Sequence, residues 1–340
     1  MMVTIESLVT GERMARIALA MVAEPDDAFT GWLVGRRGAV ETLRLLRTED
    51  PIRGVDAAET ALWRRRLLPR LDANAIGRTL GESEYLGLRV LVPSDGDWPK
   101  GLSVLRERAP LALWVKGDPG TLREARLREV VTFTGARAAT SYGEDIARNL
   151  AEDVVSREGG VVVSGGAYGI DGAAHRAALA SGGRTVAILA GGLDRPYPSG
   201  HRDLLERVGR EGLLVSELPP GSAPTRRRFL ARNRLLVSGR GHGRGRGRIP
   251  FRLAACRRGG GGPGPASGRG AGTSDLCGVG GLSPPTARGH RPDRHRHRRP
   301  ACPHRPGTCP GQRGLLPCDA DARDAGAFRP DAVTRHRRRE

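Results

Sequence analysis

The sequence predicts an α/β protein: a parallel sheet with helices on both faces, preceded by a small helical domain. Three observations carry this. From about residue 85 to 215 a unit of strand, glycine turn and helix repeats. Its strands are near-continuous apolar runs, as in strands buried on both faces. Before residue 80 the apolar spacing is helical instead.

In order, residues 11–77 read as helices. Ala15, Ile17, Ala18, Met21 and Val22 recur at helical spacing, as do Val40, Leu43, Leu45 and Leu46 after Gly35-Arg36-Arg37-Gly38, and a third segment runs from about 57 to 71. Short helices around a glycine turn suggest a helix-hairpin-helix or SAM-like module, which grips DNA through turn amides; a small helical interaction domain fits the pattern as well. Leu88–Val92 and Leu113–Gly117 then read as strands. Val130–Phe133, Val161–Val163 and Thr185–Leu189 each run into a glycine turn and a helix (about 143–157, 170–180 and 201–211), and Leu213–Val215 is a fourth repeat strand. The expected domains are 1–80 (helical), 81–238 (α/β) and 239–340 (an Arg/Gly/Pro-rich, disordered tail).

The net charge of +19 suggests a nucleic-acid binder until its distribution is read. From Gly239 onward there are 22 Arg and 7 acidic residues, leaving 34 basic against 30 acidic residues before it. The body is therefore only slightly basic. All five cysteines (Cys256, Cys277, Cys302, Cys309, Cys318) lie in the tail without paired metal spacing, and a cysteine-free body fits a reducing cytoplasm. Met1–Gly11 lacks a leader's apolar core, and no apolar run approaches the ~20 residues that span a bilayer. A soluble cytoplasmic protein with no membrane partner is expected.

In a parallel α/β sheet the loops after the strands' carboxyl ends line the ligand crevice. Three here bear glycine: Gly135, Ser164-Gly165-Gly166-Ala167-Tyr168-Gly169 and Gly191-Gly192-Leu193-Asp194. The second is the best phosphate cradle, with Arg137 as a charged clamp; tight turning alone is the alternative. The pattern is neither GxGxxG nor GxxxxGK[ST], and no acid closes the next strand, which disfavours dinucleotide and nucleoside-triphosphate chemistry. Asp171 and His175 share a helix face and could form an acid/base pair, but helix-start stabilisation and packing are the commoner uses. No catalytic residue, cofactor or metal is assigned. Arg184, Arg226-Arg227-Arg228-Phe229 and Arg232-Asn233-Arg234 combine guanidinium forks with an aromatic, as single-strand binding requires.

Read together, these segments resemble the DNA-processing protein A (DprA/Smf) family over about residues 85–235. The matching text includes Gly135-Ala136-Arg137, Ser164 to Asp171 with Ala174-His175, Gly183 to Leu189, Gly191 to Asp194 with Tyr197-Pro198, Ser216-Glu217, Phe229 and Arg232-Asn233-Arg234; Asp97-Trp98-Pro99 and Leu113 to Gly117 resemble the lead-in. The resemblance implies an extended Rossmann-like fold and a non-enzymatic mediator. Such a protein binds single-stranded DNA, dimerises and loads RecA recombinase during natural transformation. It carries DNA contacts onto Gly135, Arg137, Ser164, Gly165, Gly166, Gly169, Arg184, Arg232, Asn233 and Arg234. Departures are Gly166 for a usual Leu, Leu230 for a Pro and Arg184 for a common Lys. The enzyme-class alternative is a Rossmann-like phosphoribohydrolase resembling lysine decarboxylases, whose Pro-Gly-Gly-x-Gly-Thr segment is missing.

The resemblance stops near residue 238. Back-translated and advanced by one nucleotide, Gly241 to Leu253 permits the family's Val-Val-Val-Glu-Ala strand and the Ser-Gly-Ser after it. A frameshift between about 236 and 240 is therefore expected, with loss of activity in this product and no C-terminal winged helix. A genuine Arg/Gly-rich nucleic-acid-binding arm is the alternative.

Overall fold

A computed structural model describes residues 4–124, 130–238, 252–256 and 277–278. Six helices come first: α1 (Ile5–Leu8), α2 (Glu12–Val22), α3 (Ala28–Arg37), α4 (Ala39–Arg47), α5 (Ala57–Leu67) and α6 (Ala73–Tyr85). Asp27, Asp56 and Asp72 cap α3, α5 and α6 by accepting backbone N–H bonds, as residues at helix starts should.

The sheet is built from β1 (Arg89–Leu91), β2 (Leu113–Gly117), β3 (Val130–Gly135), β4 (Val161–Ser164), β5 (Arg184–Leu189) and β6 (Leu213–Ser216). Helices α7 (Gly120–Glu124), α8 (Ser141–Glu158), α9 (Ile170–Ala180), α10 (Arg202–Glu211) and α11 (Arg226–Val237) complete it, with two further strands, β7 (Arg252–Cys256) and β8 (Cys277–Gly278). The order is β1-β2-β6-β5-β4-β3-β7-β8. Strands β3 to β6 are parallel, as expected of the repeat, whereas β1–β2 and β2–β6 pair antiparallel. The expected α/β fold with its helical prelude is thus present.

Alternate residues of each strand face opposite layers. Val186 and Ile188 pack with Val115, Val163, Leu235 and Leu236 on the α11 side. Ala187 and Leu189 pack with Leu179, Leu205 and Val208 of α9 and α10. Ile17 and Ala20 of α2 join that second cluster beside the buried Trp114 of β2, so the helical prelude shares a core with the sheet edge. At ~25 cal/mol per Å², such fully buried aliphatic and aromatic side chains are the main stabilising term.

Beyond residue 238 only β7 and β8 are described. β7 runs parallel to β3, with Thr132 opposite Leu253 and Gly135 opposite Cys256. Main-chain pairing is indifferent to side-chain identity, so β7 can pair beside β3 even where its sequence departs from the expected strand. The expected disordered arm and the missing winged helix fall outside the described residues. No described helix is long and apolar enough to cross a membrane.

Candidate nucleic-acid interface

The parallel strands bring the ends of β3, β4 and β5 side by side, and the crevice forms there. The loop after β4 is shaped by close approach. Gly169 has φ +70°, and a Cβ on it would overlap the carbonyl of Ala136 in the loop after β3. A Cβ on Gly165 would overlap the guanidinium of Arg232. These two positions require glycine for different reasons, one conformational and one steric.

The cradle already contains an anion. Asp171, in the first turn of α9, accepts hydrogen bonds from the amides of Gly165 (3.2 Å) and Ala167 (3.3 Å). It is 4 % exposed, and burial pushes its carboxyl above the usual carboxylate range, against the pull of those amides and of Arg232. Among the described residues the amides of Gly166, Tyr168 and Gly169 have no acceptor. Ser164 is fully buried and its hydroxyl donates inward to the carbonyl of Phe133 (2.8 Å). It holds β4 to β3, so the hydroxyl expected to meet a phosphate is turned away from the crevice. The third glycine loop is likewise committed: Gly192 N–H donates to the Ser222 carbonyl, and Asp194 accepts from Gly221 N–H.

Asp171 and His175 do not form an acid/base pair. His175 Nδ1 lies 2.8 Å from Thr185 Oγ1, whose proton is given to the Val162 carbonyl, so the imidazole donates from Nδ1. Burial holds its pKa down at about 3, so it is a neutral core group.

The arginines divide sharply. Arg137 is exposed on the loop after β3, its guanidinium 5.0 Å from the Phe229 ring centroid. Phe229 also meets Tyr197 edge-on at 5.9 Å. With Gly165, Ala167 and Tyr168 these residues bound a shallow pocket. Arg226 and Arg227 are exposed at the start of α11 and make no salt bridge among the described residues, and Asn233 is exposed one turn beyond Phe229.

Arg232 is different. Only 7 % exposed, it donates to the carbonyls of Gly165 (2.9 Å) and Ile188. Burial lowers its guanidinium's pKa; Asp171 opposes that shift and Arg137 adds to it. It is no surface phosphate ligand. Arg234 pairs with Glu217 at 2.5 and 2.6 Å and with Asp26 at 3.1 Å, and Arg228 pairs with Glu24 at 3.0 Å. Burial pushes the Glu217 carboxyl up to about 7 despite Arg234. Arg228 and Arg234 therefore tie α11 to the turn between α2 and α3, which corrects the placing of Arg234 on the DNA surface. Arg184 opens β5 opposite Val161, the first residue of β4, and pairs with Asp118 at 3.2 Å. At ~3.3 Å per residue it stands roughly 17 Å from the crevice, at the other end of the sheet. It does not belong to the crevice.

The helical prelude shows the same internal capping. The Glu12 carboxylate accepts from Ala39 N–H (2.7 and 2.9 Å) and Val40 N–H (3.2 Å) at the start of α4. The turn amides that a helix-hairpin-helix offers to a phosphate are occupied by this carboxylate. Sequence reading missed α11, Tyr197 and the buried role of Arg232. An aromatic after the third glycine loop was the available signal for Tyr197.

Residues 89–242 match the family model described as DNA recombination-mediator protein A. A Mycobacterium tuberculosis protein named as a DNA processing protein DprA is 43% identical over 233 residues, covering 65% of this chain and 56% of that protein. DNA processing protein DprA of Bacillus subtilis is 33% identical over 159 residues, covering 47% and 52%. The X-ray structure of DNA processing protein A from Streptococcus pneumoniae superposes with a TM-score of 0.51 at 25% identity, over 68% of this chain and 75% of that one. The chain spans about half the length of the curated relatives it matches. Through residues 89–242, with the glycine loops and α11 that build the crevice, the chain is similar to the DprA/Smf family of DNA recombination-mediator proteins.

Proposed function

We propose that the crevice binds single-stranded DNA without cutting or modifying it, one phosphate lying against Arg137 and the unbonded loop amides and a base against Phe229. The observation that carries this is the exposed Arg137 guanidinium stacked on Phe229 beside amides of Gly166, Tyr168 and Gly169 that have no acceptor among the described residues. A guanidinium next to an aromatic suits a strand whose phosphates and base faces are both accessible; duplex DNA hides its base faces. Gly135, Gly165 and Asn233 border the same site. The buried roles of Asp171 and His175 leave the crevice without an acid/base pair, which supports a non-catalytic function. The family likeness supports finer parts of the proposal: a cytoplasmic homodimer that hands the strand to RecA during natural transformation.

The test is fluorescence anisotropy of the full 340-residue chain with labelled oligo-dT and with duplex of equal length across salt concentrations. A preference for the single strand is expected. Arg137→Ala should weaken it about tenfold and lower the salt slope by ~0.7, the share of one phosphate on a single strand. Equal affinity for both forms, or an unchanged slope in the variant, defeats the proposal.

A further inference from the structure

We infer that Arg232 is a positioning residue: buried beneath the Gly165 turn, it holds the Phe229 ring in place for stacking on a base without touching the nucleic acid itself. The inference rests on the single-strand reading above and adds a division of labour within it.

Arg232 joins three parts of the site. Its guanidinium donates to the Gly165 carbonyl of the loop after β4 and to the Ile188 carbonyl near the end of β5, while Nε donates to Asn233 Oδ1 at 3.3 Å. It thereby pins α11 to the carboxyl edge of the sheet. Phe229 lies three residues earlier on the same helix, and the Arg232 guanidinium is 5.7 Å from its ring centroid. Residues three apart on a helix are surface neighbours, so the anchor and the ring move together. Burial of a lone guanidinium is costly; the Asp171 carboxylate compensates it, and Asp171 in turn caps Gly165 and Ala167. Glycine at 165 leaves the space that the guanidinium fills. A lysine keeps the charge but lacks the planar guanidinium that bonds both carbonyls from Nη1, reaches Asn233 from Nε and faces a ring.

The experiment compares oligo-dT with an abasic phosphodiester strand of equal length on the full chain. Arg232→Lys is expected to weaken oligo-dT about tenfold, the scale of one stacked base, and to change abasic binding less than twofold. In a Phe229→Ala background it should cost nothing further. Equal loss on both strands overturns the inference, because a direct phosphate contact or a general weakening of the fold acts on both. Undiminished loss in the Phe229→Ala background overturns it also. Should the unmodified chain show no preference for single strands, the function proposal fails on that result alone. The positioning role then stands or falls on an Arg232/Phe229 double-mutant cycle in urea, where zero coupling refutes it.

Discussion

The loop after β4 and the start of α4 are both clusters of backbone amides shaped to take an anion, and both are occupied by a carboxylate of the chain itself. At α4 the occupant is Glu12, half exposed on α2, which covers the amides of Ala39 and Val40. In the loop it is Asp171, buried, covering Gly165 and Ala167 and leaving three amides without an acceptor among the described residues. Near the α4 start the Arg36 guanidinium lies over the Trp32 ring at 4.9 Å. Beside the loop stand Arg137 and Phe229, and beneath it the buried Arg232. A glycine turn or helix start is thus no evidence of an open anion site by itself. A guanidinium over an aromatic ring stands near both, so what separates them is whether the donors outnumber the acid the fold supplies.

The most disruptive way to break the comparison is to remove both acids in turn. Asp171→Ala leaves Arg232 buried without its counter-charge, and a loss of about 3–5 kcal/mol in urea unfolding is expected. Glu12→Ala removes a surface cap and should cost about 1 kcal/mol; similar losses from the two would erase the distinction. Acid sensitivity comes next, through His175 packed below the loop. Its folded pKa is about 3 against an unfolded value near 6.5, so the unfolded chain binds more protons between these values. Stability is then fully present above about pH 6.5 and lost as pH falls. From pH 7 to 5 a decline of about 2 kcal/mol is expected, flattened in His175→Asn. A curve unchanged by that substitution places the acid lability elsewhere.

Smaller effects sharpen the contrast. Glu12→Ala should leave single-strand affinity untouched although it uncovers the α4 amides, because those amides lie outside the crevice; the Arg36 guanidinium over the Trp32 ring (4.9 Å) on the preceding helix is the pair that a rise would implicate. A rise in salt-dependent binding in that variant makes the α4 start a latent site after all. Least of all is expected from Arg184→Ala: a surface pair with Asp118 contributes about 0–1 kcal/mol, and affinity should not change. Weakened binding in that variant extends the interface to the opposite edge of the sheet.

Much of the fold was legible because parallel strands advertise themselves. Val161–Val163, Thr185–Leu189 and Leu213–Val215 are continuous apolar runs followed by glycine, and the structure extends each by one residue at most. Helix α9 spans the residues its spacing predicts. Helix α11 was not legible as a helix. Its buried residues are Ala231, Arg232, Leu235 and Leu236, and Arg228 and Arg234 pair with distant acids, so charge interrupts the apolar stripe. The antiparallel entry of β1 and β2 also escaped, since strand direction leaves no mark on composition. Among the site residues, Arg137 and the Gly165–Gly169 turn were found from their place after a strand. The inward turn of Ser164 was not, because a hydroxyl reads identically whether it faces solvent or the Phe133 carbonyl.

The sequence by itself determined the layered α/β architecture, the position of the glycine loops and the resemblance to the family. These follow from local periodicity and from short motifs, which need no knowledge of distant neighbours. Only the tertiary structure decided which arginines are available. Arg137, Arg226 and Arg227 face solvent; Arg228, Arg232 and Arg234 are spent on holding α11 to the sheet and to the α2–α3 turn. Arg184 is removed to the far edge. The physical reason is that a guanidinium's role is set by the charge and burial around it, and those are supplied by residues up to 204 positions away.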